Sequence, residues 1–246
     1  MGLLSRQMTG MLVPICAYVV MAISLNLTVG ILGELSLAHA GFMSVGAFAG
    51  IVVTTSLAAA IPFGPMRLAI ATVIGALCAA VAGVIVGIPV LRLKGDYLAI
   101  VTLAFGEIIK NIINVLYIGL DEKGLHFSLL NQAFELSENG KMIINGPMGV
   151  SGVTKLSSFT VGFVLILITL FLVLNLIHSR TGRAVMAVRD NRIAAESIGI
   201  PVTRYRLLAF VISAALAGAA GTLYAMNFST VTATKFDFNT SILILV

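Results

Sequence analysis

The sequence predicts an all-α fold: a polytopic transmembrane helical bundle with about six complete spans and the start of another. Of the 246 residues, 59% are hydrophobic and 10% are charged, whereas about 25% of the residues in an average soluble domain are charged. Mean hydropathy is +1.08, and the apolar residues form several long runs. Within a bilayer such runs satisfy their backbone hydrogen bonds as helices. We therefore expect a single transmembrane domain over residues 1–246.

The apolar runs give the positions of the predicted spans. These are residues 11–32, 40–61, 68–91, 97–120, 158–178 and 207–228. The fifth run has no Asp, Glu, Lys or Arg, and it makes about 31 Å of helix for a hydrocarbon core of about 30 Å. The last run, 240–246, is too short to cross a membrane, so we expect it to begin a seventh span that is cut short.

Small residues recur at a spacing of four within these runs. Gly46 and Gly50 form one such pair, Gly83 and Gly87 form another, and the sixth run contains the stretch AALAGAAG. Residues four apart share one face of a helix, and small residues there let two helices approach closely. We interpret these positions as packing surfaces.

A polar interruption, GELSLAHAGF at 33–42, separates the first two runs. Glu34 and His39 break the apolar pattern and glycines flank them, which indicates a turn or a broken helix whose backbone faces protein or a cavity. Both side chains are candidates for a pathway or for buried polar contacts. Asn26, inside the first run, is more simply interpreted as an interhelical hydrogen-bonding residue than as a solute contact.

Glu107 and Lys110 lie deep inside the fourth predicted span. Glu107 follows Asp96 by 11 residues, which is about 16 Å of helix and close to mid-bilayer. A charge there is costly, but residues three apart share a helix face and partly neutralise each other. Two interpretations stay open: a buried structural ion pair, or residues that line a transport pathway.

The charges between the spans predict the orientation of the chain. The stretch 179–206 holds six of the 15 Lys and Arg residues, and 92–96 is a second short basic loop. Because short basic loops stay in the cytoplasm, alternation places 34–39 inside, and 121–157 and the N-terminus outside. This distribution explains the net charge of +5 without a nucleic-acid partner.

Three further expectations concern smaller features. The stretch 121–157 is expected to be a loop with a short amphipathic helix around 127–136, and residues 183–189 are expected to extend the fifth span as a helix into the cytoplasm. Cys16 and Cys78 lie inside apolar runs, and we interpret them as small core residues rather than as a disulfide or a metal site.

A short capped helix is predicted within the basic loop 179–206. Asp190 is the expected N-cap of a helix over 192–198, Gly199 is the expected residue after its end, and a proline follows at 201. Small and apolar exposed side chains flanked by charges suit insertion into a groove of another protein, and contact with lipid headgroups is the alternative. The side chains expected to be exposed are Ile193, Ala194, Ala195, Ser197 and Ile198.

Four stretches carry a family resemblance that covers residues 32–226. They are LSLAHAGFMSVGAF, LRLKGDYLAIVTLAFGEIIK, SRTGRAVMAVRDNRIAAESIGI and LLAFVISAALAGAAGTLYA. In these stretches the chain resembles the permease subunits of bacterial branched-chain amino acid ABC importers, and the LivM-type subunit in particular. The resemblance implies a multi-pass protein of the bacterial inner membrane. The implied partners are two cytoplasmic P-loop ATPases, a second permease subunit and a periplasmic amino-acid-binding protein.

The resemblance also implies a role for the loop after the fifth span, which in such importers holds the coupling helix seated on the ATPase. The implied substrates are leucine, isoleucine and valine. Compared with the family, the N-terminal stretch is short and the last spans are missing. The residues that the resemblance places in or beside the coupling helix are Asp190, Arg192, Ile193, Ala194, Ala195, Glu196, Ser197 and Gly199.

The leading hypothesis is a pore-forming subunit rather than an enzyme. The sequence contains no G-x-x-x-x-G-K-[ST] phosphate-binding motif, so ATP would be bound by partner subunits, and no cofactor or metal is expected on this chain. The alternative is a secondary transporter or channel for small polar solutes that works without an ATPase. Asn26, Glu107 and Lys110 would then form an ion or proton site. A non-transporting membrane scaffold is the third hypothesis.

Overall fold

The computed structural model describes residues 6–58, 60–93, 95–121, 124–129 and 141–245. A π-helical turn, Leu27–Ile31, continues the first α-helix. The α-helices in these residues are α1 (Arg6–Asn26), α2 (His39–Ser56), α3 (Gly64–Val90), α4 (Asp96–Asn114), α5 (Phe159–His178), α6 (Arg180–Asp190), α7 (Arg192–Ser197), α8 (Val202–Ala225) and α9 (Phe238–Leu245). The strands are β1 (Leu116–Asp121), β2 (Gly124–Leu129), β3 (Lys141–Asn145), β4 (Val150–Ser151) and β5 (Thr230–Val231).

Within the described residues, six helices are long and apolar enough to cross a membrane: α1 with its π turn, α2, α3, α4, α5 and α8. The predicted bundle of six spans is therefore confirmed. α2 and α8 are the most deeply buried of the six, and α3 packs against both. α5 exposes most of its apolar side chains, as a helix does when its neighbours are lipid tails or another subunit.

Glycines make the contacts at the centre of the bundle. A β-carbon added at Gly46 would lie 2.1 Å from the carbonyl oxygen of Gly218, and one added at Gly83 would lie 2.7 Å from the β-carbon of Ala214. The backbones of α2, α3 and α8 thus approach at distances that only small residues allow. The predicted packing role of Gly46, Gly83 and the AALAGAAG stretch is confirmed.

The first two spans are joined by a broken segment, residues 33–38. The π turn ends at Ile31, Gly33 adopts a left-handed conformation with φ of +77°, and the residues from 34 to 38 are not helical. Inside this segment the backbone N–H of Leu37 donates to Thr102 Oγ1 of α4 over 3.1 Å. The predicted break is confirmed, and its backbone packs against α4.

Two predictions for the region that follows α4 are wrong. The fourth span ends at Asn114 rather than near 120, because 116–121 form β1, the central strand of an antiparallel sheet of order β2–β1–β3. The run LYIGL suits a strand as well as a buried helix, and hydropathy alone does not separate the two. The amphipathic helix is wrong for 127–129, which lie in β2; residues 130–136 are outside the described part of the chain.

The basic loop folds into two helices. α5 ends at His178, and the backbone of Ser179 is extended, with ψ of 170°. The hydroxyl of Ser179 accepts a hydrogen bond from the N–H of Gly182 over 3.1 Å. A capping serine of this kind starts a new helix, so the predicted continuation of the fifth span through 183–189 is wrong.

The segments predicted to lie in the cytoplasm meet at one end of the bundle. Arg206, near the start of α8, contacts Glu34 of the broken segment and the carbonyl oxygen of Leu91, just after α3. The three-stranded sheet follows the opposite end of α4. The segments therefore group as alternation predicts, and the side of the membrane that each group occupies stays a prediction.

Candidate functional site

α7 is a six-residue helix, and its first end is closed by Asn191. The side-chain oxygen of Asn191 accepts a hydrogen bond from the N–H of Ala194 over 3.0 Å. The predicted N-cap, Asp190, is wrong by one residue: it ends α6, and its carboxylate accepts hydrogen bonds from Arg189. The chain leaves α6 at Asn191, where the backbone is extended, and an N-cap residue needs that conformation.

Gly199 closes the second end of α7, as the sequence predicts. Its φ is +84°, a left-handed conformation that glycine adopts without steric cost. The N–H of Gly199 donates to the carbonyl of Glu196 over 3.0 Å, and the N–H of Ile200 donates to that of Ala195 over 3.0 Å. This pair of hydrogen bonds is a Schellman motif, which satisfies carbonyls at the helix end.

The face of α7 that carries Ile193 is exposed to solvent, and so is the C-cap residue Ile198. Ile193 is 81% exposed and Ile198 is 74% exposed. Two large apolar side chains exposed on so short a segment suggest a surface that a partner covers. The accessible residues around them are Ala194, Ser197 and the ion pair between Arg192 and Glu196, whose Nε and Oε1 lie 3.2 Å apart.

The opposite face of α7 packs onto the protein. Ala195 is buried against Val188 of α6 and Val202 of α8, so the expectation that Ala195 is exposed is wrong. Ala195 is the buried residue of α7, so the contacts of its methyl group fix the orientation of this short helix. In that orientation Ile193 points outwards.

Behind α7 lies an ion pair between Glu34 and Arg206. Both Nε and Nη2 of Arg206 contact Oε1 of Glu34. Nη1 of Arg206 donates to the carbonyl of Leu91 over 2.7 Å, and Arg206 is 5% exposed. Burial raises the pKa of the Glu34 carboxyl above its ordinary value, while Arg206 and, more weakly, Arg192 lower it.

Arg189 also contacts the region before α2. Its Nη1 donates to the carbonyl of Gly30 over 2.9 Å, and a β-carbon at Gly33 would lie 2.6 Å from its Cγ. The sequence assigns Arg189 and Arg206 only to a basic loop. Their partners are 159 and 172 residues away in the chain, and no local pattern indicates such pairings.

His39 is buried between spans and contacts α8. Its Nε2 lies 2.8 Å from Ser213 Oγ of α8. Ser213 Oγ donates to the carbonyl of Ser24 over 2.7 Å, and Ser24 Oγ donates to the carbonyl of Ser213 over the same distance. All three side chains are buried, so this cluster ties α1, α2 and α8 together.

Asn26, by contrast, is exposed. Its Oδ1 lies 2.1 Å from the position that a β-carbon of Gly30 would occupy. The amide therefore folds back over its own helix. Neither of the two interpretations of Asn26, an interhelical hydrogen bond or a solute contact, is favoured by this position.

Glu107 and Lys110 form the ion pair that their spacing predicts. The exposed fraction is 34% for the Glu107 side chain and 20% for that of Lys110. Glu107 borders a cleft of about 10 Å³, room for about one water molecule. The other polar residues of this cleft, Asp237 and Ser241, belong to the start of α9 and were missed, because a short run at the end of the sequence gives no sign of where it packs.

The cleft lies where two helices begin. α2 starts at His39 and α9 at Phe238, and the N–H of Ala40 donates to Ser241 Oγ over 3.1 Å. The positive ends of two helix dipoles therefore point towards the wall that carries Glu107. Polar groups of both signs converge here beside otherwise apolar helices.

We expect the Asn191→Ala variant to loosen α7 and leave the bundle intact. Loss of an N-cap costs about 1 kcal/mol, so amide hydrogen exchange in residues 192–197 should rise several-fold with an unchanged unfolding temperature. The measurement is hydrogen exchange by mass spectrometry in detergent. Asp190→Ala is the matched control and should leave α7 unchanged. Equal exchange in both variants would contradict the assignment of Asn191 as the cap.

Comparisons with known proteins agree with this architecture. Residues 7–246 match the family described as branched-chain amino acid transport system / permease component. The chain is 34% identical over 238 residues to the high-affinity branched-chain amino acid transport system permease protein LivM of Salmonella typhimurium (strain LT2), covering 93% of this chain and 54% of that protein. The corresponding LivM of Escherichia coli (strain K12) has the same identity and coverage.

A more distant relative is the fructose import permease protein FruG of Bifidobacterium longum (strain NCC 2705). It is 30% identical over 106 residues, which are 43% of this chain and 28% of that protein. No solved structure matches the chain. The chain spans about half the length of the LivM relatives that it matches. On the match of residues 7–246, the chain belongs to the family of branched-chain amino acid transport system permease components.

Proposed function

We propose that this chain is a transmembrane permease subunit of a binding-protein-dependent, ATP-driven importer for amino acids, with leucine, isoleucine and valine as substrates. Family membership supports the class of protein. The observation that carries the proposal further is α7, a capped helix that holds Ile193 and Ile198 out from the end of a membrane bundle. An apolar pair presented on so short a helix suits a groove on a partner protein.

In this proposal the partners divide the work. Two cytoplasmic P-loop ATPase subunits bind ATP and contact α7, so this chain itself binds no cofactor and catalyses no reaction. A second permease subunit completes the transmembrane pathway in the bacterial inner membrane. An extracytoplasmic amino-acid-binding protein delivers the substrate at the end that carries the three-stranded sheet. The ATPases close on ATP and tilt the spans through α7.

We propose that the substrate passes along α4, beside the cleft between α2 and α9. Glu107 and Lys110 support this position, because partly exposed charges deep in a span require a polar neighbour or water. In this structure the cleft has room for about one water molecule, so a substrate would pass only when the spans move apart. The apolar wall of the cleft, which includes Leu37 and Leu103, would then face an aliphatic side chain. The charges suit the ammonium and carboxylate groups of an amino acid.

The test of ATPase docking uses Ala194→Trp, because Ala194 is exposed on α7. A tryptophan there would keep α7 from seating in a groove. We expect the amount of ATPase that co-purifies with this chain to fall by at least about tenfold, which corresponds to about 1.4 kcal/mol. Ala58→Trp, an exposed alanine beyond α2 at the other end of the bundle, is the matched control and should leave co-purification unchanged.

The same preparation separates this proposal from a secondary transporter. Proteoliposomes with the assembled importer should take up leucine only when two conditions are met. ATP must be present on the side of the membrane that carries the ATPases, and the binding protein must be present on the opposite side. Leucine uptake by this chain alone, driven by an ion or proton gradient, would contradict the proposal and favour an ion site at Glu107 and Lys110.

A further inference from the structure

Three parts of the chain are fastened together by arginines beside α7. Arg206, on the first turns of α8, contacts Glu34 and the carbonyl of Leu91. Arg189, on the last turn of α6, donates to the carbonyl of Gly30 over 2.9 Å. Both ends of the stretch 30–34 are thus held by the helices that flank α7 on either side in the sequence.

α7 packs against the two helices that carry these arginines. Ala195 packs between Val188 of α6 and Val202 of α8, and one residue, Asn191, separates α6 from α7. The three helices therefore form one packed unit at this point. A groove of about 460 Å³ lies between α7 and the Glu34–Arg206 pair, so α7 and Glu34 are connected through the arginines of the neighbouring helices.

The stretch held by the arginines leads into the broken segment 33–38. This segment makes few helical hydrogen bonds of its own, and Leu37 is fixed by Thr102 of α4 at the far end. A few residues further on, Gly41 lies against Gly106, the neighbour of Glu107. The non-helical backbone of 34–38 therefore joins the ion pair to the cleft.

We infer that the Glu34–Arg206 ion pair, with Arg189, is the contact that transmits movement of α7 to the broken segment beside the pathway. Glu34, Arg189 and Arg206 act as positioning residues and do not contact the substrate. The inference rests on the proposed function. A buried guanidinium with several hydrogen bonds holds its partner in one geometry, which a transmitting contact needs.

The experiment compares Glu34→Gln with Arg204→Gln in the assembled importer in proteoliposomes. Glutamine keeps the size of Glu34 and removes its charge. Arg204 is an exposed arginine on the same turn of α8 as Arg206, so its replacement is the matched control. The readout is leucine imported per ATP hydrolysed, together with the amount of ATPase bound.

We expect Glu34→Gln to bind the ATPase and hydrolyse ATP like the unaltered protein and to import about tenfold less leucine per ATP, because one partner of a largely buried ion pair is left uncompensated. Arg204→Gln should retain the normal ratio. A contact that only stabilises the fold would lower the amount of assembled importer and leave the ratio unchanged. A normal ratio in Glu34→Gln would therefore overturn the inference.

A second variant keeps the inference testable if Glu34→Gln does not assemble. The Arg189 side chain is 41% exposed, so Arg189→Gln should fold, and it should lower the ratio in the same direction. A normal ratio in Arg189→Gln would then overturn the inference. An unaltered importer that shows no ATP-dependent leucine uptake would overturn the proposed function and this inference with it.

Discussion

Replacement of Gly221 by alanine is expected to prevent the protein from accumulating in the membrane. A β-carbon at this position would lie 1.9 Å from the carbonyl oxygen of Met43 and 3.1 Å from the backbone nitrogen of Ala47. Both atoms belong to the backbone of α2, so no side-chain rotation relieves the clash. Overpacking in a core typically costs about 1–3 kcal/mol, and here two central spans would have to separate.

The measurement for Gly221→Ala is the amount of folded protein in membranes, followed by the unfolding temperature in detergent. Gly10→Ala is the matched control: Gly10 is exposed in α1, and an added β-carbon there meets no heavy atom within 4 Å. Alanine is favoured over glycine in a helix by about 1 kcal/mol, so the control should be as stable as the parent or more so. A normal yield of Gly221→Ala would contradict the tight crossing of α2 and α8.

Substitutions at Glu107 and Lys110 are expected to separate fold stability from transport. Glu107→Gln alone leaves the ammonium of Lys110 without its partner, and breaking one side of a buried ion pair costs about 3–5 kcal/mol; a smaller loss is expected here because both side chains are partly exposed. The double variant Glu107→Gln with Lys110→Met removes both charges, so we expect the yield and unfolding temperature to return to normal.

Uptake is the deciding measurement for this double variant. If the pair lies on the pathway, as proposed, the double variant should fold and bind its ATPase while leucine uptake falls by at least about tenfold, equivalent to about 1.4 kcal/mol. If the pair is only structural, uptake should recover together with stability. Recovery of uptake would therefore remove Glu107 and Lys110 from the proposed pathway.

Hydropathy predicted the spans because a membrane span needs a long apolar run, and that signal is local. It failed at 116–121, where the run that follows α4 pairs as a strand instead of continuing the helix. The glycine positions were predictable for a similar reason: their spacing places them on one helix face, and close approach is the main use of small residues between spans.

The candidate site was only partly predictable. The end of α7 at Gly199 follows from local conformational preference, and the spacing of Glu107 and Lys110 predicts their ion pair. The cap at Asn191 and the burial of Ala195 depend on where α6 ends and how α7 packs. Glu34 and Arg206 are 172 positions apart in the sequence. A local sequence pattern cannot predict a tertiary contact between residues so far apart in the chain.

The hydrogen bonds among Ser24, His39 and Ser213 hold α8 at its middle. Ser213 is the twelfth of the 24 residues of α8, so the helix extends about 18 Å to each side of it. Since packed helices move as rigid bodies, a tilt about this point displaces the two ends of α8 in opposite directions. The end beside α7 and the end beside the sheet would then swing by similar amounts. A tilt that widens the pathway at one face of the membrane would therefore narrow the pathway at the other face.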